Sequence, residues 1–128
     1  MKRDVYWFKH DANARRNQKL LTMRLVYGAE GYGWWWMLLE MMRESSNYRL
    51  KISGKYDIAT IAQELGADKD KIKAFLDDCV NEFRLFESDG EYIWSPSFLQ
   101  RMKSYDEVIE AKRAAANRRW NKQSDIDF

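Results

Sequence analysis

Eight of the nine residues in Trp34-Trp35-Trp36-Met37-Leu38-Leu39-Glu40-Met41-Met42 are apolar. A helix turns about 100° per residue, so three consecutive tryptophans fan across roughly 200°. That is much wider than the stripe a surface helix hides. The pattern predicts a central helix covered on at least two sides, with Trp35 or its neighbours, Leu39, Phe75 and Leu76 in one core. A Met and aromatic stripe at this spacing is core more often than an exposed platform for bases or a ligand. One of the three tryptophans can also reach a subunit contact, where Trp is enriched. Glycines open the stretch. Gly28 fits the left-handed residue that ends a preceding helix, and Gly31 and Gly33 admit neighbouring backbone.

Upstream, Val5-Tyr6-Trp7-Phe8 reads as a short extended run packed on the core, and Lys9-His10-Asp11 as a turn. Asp11, Asn13 or Asn17 can cap a helix running to about Tyr27, with Leu20, Met23 and Tyr27 on its apolar face. Arg15, Arg16, Lys19 and Arg24 lie mostly off that face and form a basic flank. Downstream of the central helix, Tyr48-Arg49-Leu50-Lys51-Ile52 alternates like a half-buried strand. Asp57 then caps a short helix bearing Ile58, Ile61, Ala62 and Leu65, closed by Gly66. Asp68 caps a longer one bearing Ile72, Phe75, Leu76, Cys79, Val80 and Phe83. Two helices joined by a short Gly-containing turn read as helix-turn-helix. Asp89-Gly90 between Leu85-Phe86-Glu87 and Tyr92-Ile93-Trp94 is a hairpin signal. The order is that of a winged helix: a mainly α fold with a small antiparallel sheet and extra helices at both ends. Ser95-Pro96 starts the last helix. Its Phe98, Met102, Tyr105 and Ile109 form a heptad-like seam. The expected domain covers residues 1–122, with a frayed tail over 123–128.

Composition narrows the function classes. A chain of 128 residues with 45% hydrophobic residues suits one domain with a real core. Its longest apolar run, residues 34–39, is too short to span a bilayer, and the first residues lack the apolar region of a signal peptide. A cytoplasmic protein without membrane contact is expected, and the single cysteine agrees with a reducing compartment. Charge is uneven. Residues 1–27 hold seven Lys/Arg against two acids, residues 28–99 eight against thirteen, and residues 100–128 seven against five. Basic ends around an acidic middle point to a polyanion or to subunit pairing, unless the faces are simply solvated.

The residues carry no recognisable catalytic, cofactor or small-molecule pattern. One histidine, His10, has no second metal ligand at a useful spacing, and Cys79 sits on an apolar stripe. The glycines at 28, 31 and 33 do not follow a strand, which argues against a dinucleotide fingerprint. Adjacent Asp77 and Asp78 point about 100° apart, so a solvated helix face accounts for them better than a shared proton. No enzyme, metal or cofactor is expected. The second helix of the helix-turn-helix sets Lys69, Lys71 and Lys73 against Asp68, Asp70, Asp77, Asp78 and Glu82 and has no arginine, the commonest reader of guanine. DNA contact is therefore expected through phosphates, from Arg15, Arg16, Lys19 and Arg24 near the start and from Lys112, Arg113, Arg118, Arg119 and Lys122 near the end. Phe98, Met102, Tyr105, Ile109 and Trp120 are the candidate self-association residues. Trp120 serves either to cap the core or to stack on an unpaired base.

Trp7-Phe8-Lys9-His10-Asp11, Tyr27-Gly28-Ala29-Glu30-Gly31-Tyr32-Gly33, Leu39-Glu40, Leu85-Phe86, Tyr92-Ile93-Trp94-Ser95, Arg101-Met102 and Arg119-Trp120 carry a family resemblance. Nearly the whole chain resembles the N-terminal domain of phage and prophage replisome-organiser and DnaD-like replication-initiation proteins. The resemblance implies a winged helix and a role in DNA replication or DNA-linked assembly, with replication proteins as partners. It transfers no functional residue. Such proteins often continue into a linker and a second, helical region. The expected function is a non-catalytic replication-initiation module with weak, non-specific DNA binding and protein contacts. The alternatives are an oligomerisation or interaction domain without DNA contact and, behind it, a transcriptional regulator.

Overall fold

The computed structural model describes residues 14–126, with side chains as far as residue 120. The expectations for Val5 to Phe8, His10, Asp11 and Asn13 lie outside the described residues, as do those for the side chains of Lys122 and of the tail. The chain divides into two compact units, Met1–Pro96 and Ser97–Phe128.

The first unit has the element order of a winged helix. A 3-10 turn over Ala14–Arg16 leads into α1, Gln18–Glu44. Asn17 caps α1, its Oδ1 accepting from the backbone N–H of Lys19 at 3.0 Å and of Leu20 at 3.4 Å. Strand β1 is Leu50–Lys51, α2 is Asp57–Leu65 and α3 is Lys69–Asn81. The wing is β2, Glu87–Ser88, and β3, Tyr92–Trp94. The antiparallel sheet runs β1-β3-β2, with Leu50 opposite Ile93 and Glu87 opposite Trp94. One long helix, α4, Pro96–Ile126, with proline at its first position, makes up most of the second unit.

Turn chemistry places α2, α3 and the wing. Gly66 is left-handed (φ 69°, ψ 34°), and the N–H groups of Gly66 and Ala67 close the end of α2 on the carbonyls of Gln63 and Ala62. Asp68 Oδ2 accepts from Asp70 N–H at 3.0 Å and starts α3. At the hairpin, Asp89 Oδ1 accepts from Tyr92 N–H at 2.8 Å and Glu91 N–H at 2.9 Å, with Gly90 at φ 91°. Two local expectations are corrected. Asp57 is the first residue of α2 rather than its cap, and it reaches back to accept from Gly54 N–H at 2.7 Å. Tyr48 is not in the strand. Asn47 and Tyr48 have positive φ within a 3-10 turn over Ser46–Tyr48, so pairing begins only at Leu50.

Helix α1 is two helical segments, residues 18–27 and 29–44, meeting at Gly28. Gly28 has φ 69° and ψ −162°, which corrects the expected left-handed helix end. This backbone region is essentially reserved for glycine. Gly31 provides the close approach. A Cβ there would lie 2.5 Å from Tyr27 Cβ, 3.1 Å from Met23 Sδ and 3.3 Å from Phe75 Cε1. These are side-chain neighbours, not the backbone the pattern suggested, and Gly33 has nothing within 4 Å of such a Cβ.

The core forms where the expected residues meet. Trp34, Trp35, Leu38, Leu39, Phe75 and Leu76 are all buried. The rings of Tyr27 and Trp34 meet Phe75 edge-on, with centroids 5.0 and 5.2 Å away. Trp35, also buried, stacks with Tyr32 and meets Trp36 edge-on within α1. Cys79 is fully buried, and burial pushes its thiol far above the usual range, so it behaves as a small apolar residue.

Candidate nucleic-acid interface

In a winged helix, α3 and the hairpin are the elements expected against a duplex. Their surface chemistry here is poor for phosphates. On α3, Lys69, Lys71 and Lys73 are exposed beside exposed Asp70 and Asp77. Lys73 Nζ is bound to Asp77 Oδ2 at 2.9 Å. The wing carries exposed Glu87, Asp89 and Glu91. Two backbone N–H donors, from Tyr92 and Glu91, hold the Asp89 carboxyl below its usual range, so the tip stays negative. A groove of about 370 Å³ between α3 and the sheet has an apolar floor of Ile52, Ile58, Leu76, Val80 and Ile93, with Lys73 and Asp77 among its lining residues.

Asp78 departs from the expected solvated pair. It accepts from Tyr27 Oη at 2.5 Å, and both residues are half-buried. Burial and this bond push the Tyr27 hydroxyl above its usual range. The contact ties α1 to α3, so Asp78 is a tether within the fold and only Asp77 sits on the solvated face. Sequence spacing gives no sign of a bond between residues so far apart.

The expected phosphate-binding residues divide into two groups. Near the chain start, Arg15 and Arg16 are exposed. Lys19 Nζ donates to the Arg84 carbonyl at 3.2 Å. Arg24 is half-buried, with its guanidinium 5.4 Å from the Tyr32 ring centre and Nη1 donating to the Arg15 carbonyl at 3.3 Å. Both are engaged within the fold. Near the chain end, Lys112, Arg113, Arg118 and Arg119 are all exposed on α4. Arg113 Nη1 lies 3.8 Å from Glu110 Oε1, a loose and exposed pair that contributes little. No acid interrupts residues 111–122.

The seam of α4 is graded along its length. Phe98 and Met102 are buried, whereas Tyr105 and Ile109 are half-buried. Trp120 is 69% exposed. A second surface was missed in the sequence. Leu21, Leu25 and Val26 are exposed at 41, 85 and 61%, and Leu21 and Leu25 lie on the side of α1 away from Leu20, Met23 and Tyr27. The signal was present as apolar residues falling outside the single face traced through residues 18–27. Arg43 was also missed. It is buried in α1, with Nη1 donating to Tyr48 Oη at 3.3 Å.

Among the described residues, no helix is long and apolar enough to cross a membrane. No curated protein and no solved structure matches the chain. The family model for Lin1244/Lin1753-like N-terminal domains matches residues 7–98, from Trp7 of the N-terminal motif through α1, the helix-turn-helix and the wing to the start of α4. The chain belongs to the Lin1244/Lin1753-like N-terminal domain family.

Proposed function

We propose that the chain is a non-catalytic winged-helix module of a phage-type DNA replication initiation protein, binding DNA weakly through phosphates and binding protein partners. The carrying observation is the exposed, acid-free run of Lys112, Arg113, Arg118 and Arg119 on α4. The replication setting rests on the resemblance of the motifs from Trp7 to Asp11 and from Tyr27 to Gly33. Contacts of this kind position a protein on DNA without reading bases. Each phosphate contact adds roughly −0.9 to the slope of log affinity against log salt. Arg118→Ala with Arg119→Ala should therefore flatten that slope by about one or two units, while Lys71→Ala on α3 leaves it unchanged. Fluorescence titration of a labelled duplex at two salt concentrations measures this. Equal slopes for the double variant and the parent would remove α4 from the interface.

The exposed Leu21, Leu25 and Val26 favour a second reading, an interaction domain with no DNA contact of its own. Exposed apolar side chains that neighbour one another, as Leu21 and Leu25 do at i, i+4 spacing, mark protein contacts better than phosphate contacts. Leu25→Glu should leave the fold intact and abolish self-association in sedimentation at micromolar concentration. A parent chain that is strictly monomeric and indistinguishable from the variant argues against self-association through this face.

A further inference from the structure

We infer that the C-terminal half of α4 binds single-stranded DNA, with Trp120 as the stacking platform for an unpaired base. The inference rests on the phosphate-binding reading of α4 and adds the form of the nucleic acid. A tryptophan side chain is among the largest apolar surfaces a protein has and is normally well covered. Trp120 is 69% exposed, and its neighbours explain what the open ring can accept. A helical side chain leans toward the helix start, over the residue four positions earlier. For Trp120 that residue is Ala116, whose methyl group is too small to cover an indole. Asn117, three positions earlier on the same face, is also smaller than the ring. Exposed cations share the helix with the ring. Arg119 is adjacent, and Lys112 and Arg113 stand two turns earlier, roughly 10 Å along the axis; all three are exposed.

An open π face on a basic stretch with no carboxylate among residues 111–122 suits a base and its flanking phosphates. A duplex keeps its bases stacked on one another and offers only its backbone, so Trp120 gains nothing from it. A single strand offers both, and base–aromatic stacking tolerates any base because every base has a π face. Binding should therefore prefer single strands without strong preference for sequence.

The test uses the full chain with labelled oligo-dT and a labelled duplex, followed by fluorescence anisotropy at about 50 mM salt. Trp120→Ala should weaken oligo-dT binding about ten-fold and leave duplex affinity essentially unchanged. Trp120→Phe should retain most of the affinity for oligo-dT. Trp120→Leu, which keeps an apolar side chain but has no π face, should lose it. Circular dichroism confirms that the variants remain helical, and the Phe and Leu pair decides the matter if the Ala variant does not. Equal weakening of both DNA forms, no weakening of either, or a Leu variant as good as the Phe variant overturns the inference while leaving the phosphate reading in place. A change of oligomeric state in Trp120→Ala with oligo-dT affinity intact assigns the ring to self-association and also overturns it. If the parent chain binds neither DNA form at low salt, the phosphate reading fails and takes this inference with it.

Discussion

Phe75→Ala should cost about 3–5 kcal/mol of stability, the range for truncating a fully buried aromatic ring. Phe75 is completely buried on α3. Its ring meets Tyr27 from the first segment of α1 and Trp34 from the second, so one side chain clamps both segments across the break at Gly28. Gly31 lies against the same ring edge, and with no side chain there, little can move into the vacated space. The cost therefore combines lost transfer energy with an unfilled cavity. Urea unfolding measures it, with an unchanged slope showing that the unfolded reference is the same. A loss below about 1 kcal/mol would show a core that collapses freely around the site, against the clamp described above.

Gly28→Val should cost about 1–3 kcal/mol, toward the upper end because a β-branched residue fits positive φ worst. Space is not the cause. A Cβ at Gly28 would have no atom within 4 Å, and the same holds at Gly33. The two sites differ in backbone. Gly28 has φ 69° and ψ −162°, whereas Gly33 lies inside the helical part of α1. Gly33→Ala should thus be neutral or stabilising by up to about 1 kcal/mol, because alanine favours helix and restricts the unfolded chain. Thermal unfolding of both variants beside the parent gives the comparison. Similar shifts at the two positions would show that the break in α1 can be rebuilt without glycine.

The local grammar of the fold was legible. Gly66, Asp68 and the Asp89-Gly90 turn act as their residue types predict, because their hydrogen bonds are made within a few residues. The helix-turn-helix, the wing and the core around Leu39, Phe75 and Leu76 follow from periodicity and spacing. What failed depends on contacts that periodicity does not encode. The Tyr27–Asp78 bond needs two helices brought together, so a carboxylate that looks solvated on a helical wheel becomes a tether. Gly28 was recognised as a break, but its extended ψ is set by how the two segments pack. Tyr48 fits a strand pattern until the positive φ of Asn47 and Tyr48 turns the chain. Basic residues looked equivalent in sequence, and only the structure separates engaged Lys19 and Arg24 from the exposed cations of α4.

The strand order β1-β3-β2 sets a schedule for folding. Neither outer strand pairs with the other, and both need the middle one. Leu50 has no strand partner until Ile93 emerges from the ribosome. At roughly 5–20 residues per second that is a wait of about 2–9 seconds. Helix α1 is complete before that interval opens, and α2 and α3 emerge within it and can begin to pack on α1, while β1 remains an open edge. The sheet then closes in one step as a clasp over helices already in place, and a nascent chain arrested before Tyr92 should display its helices without its wing.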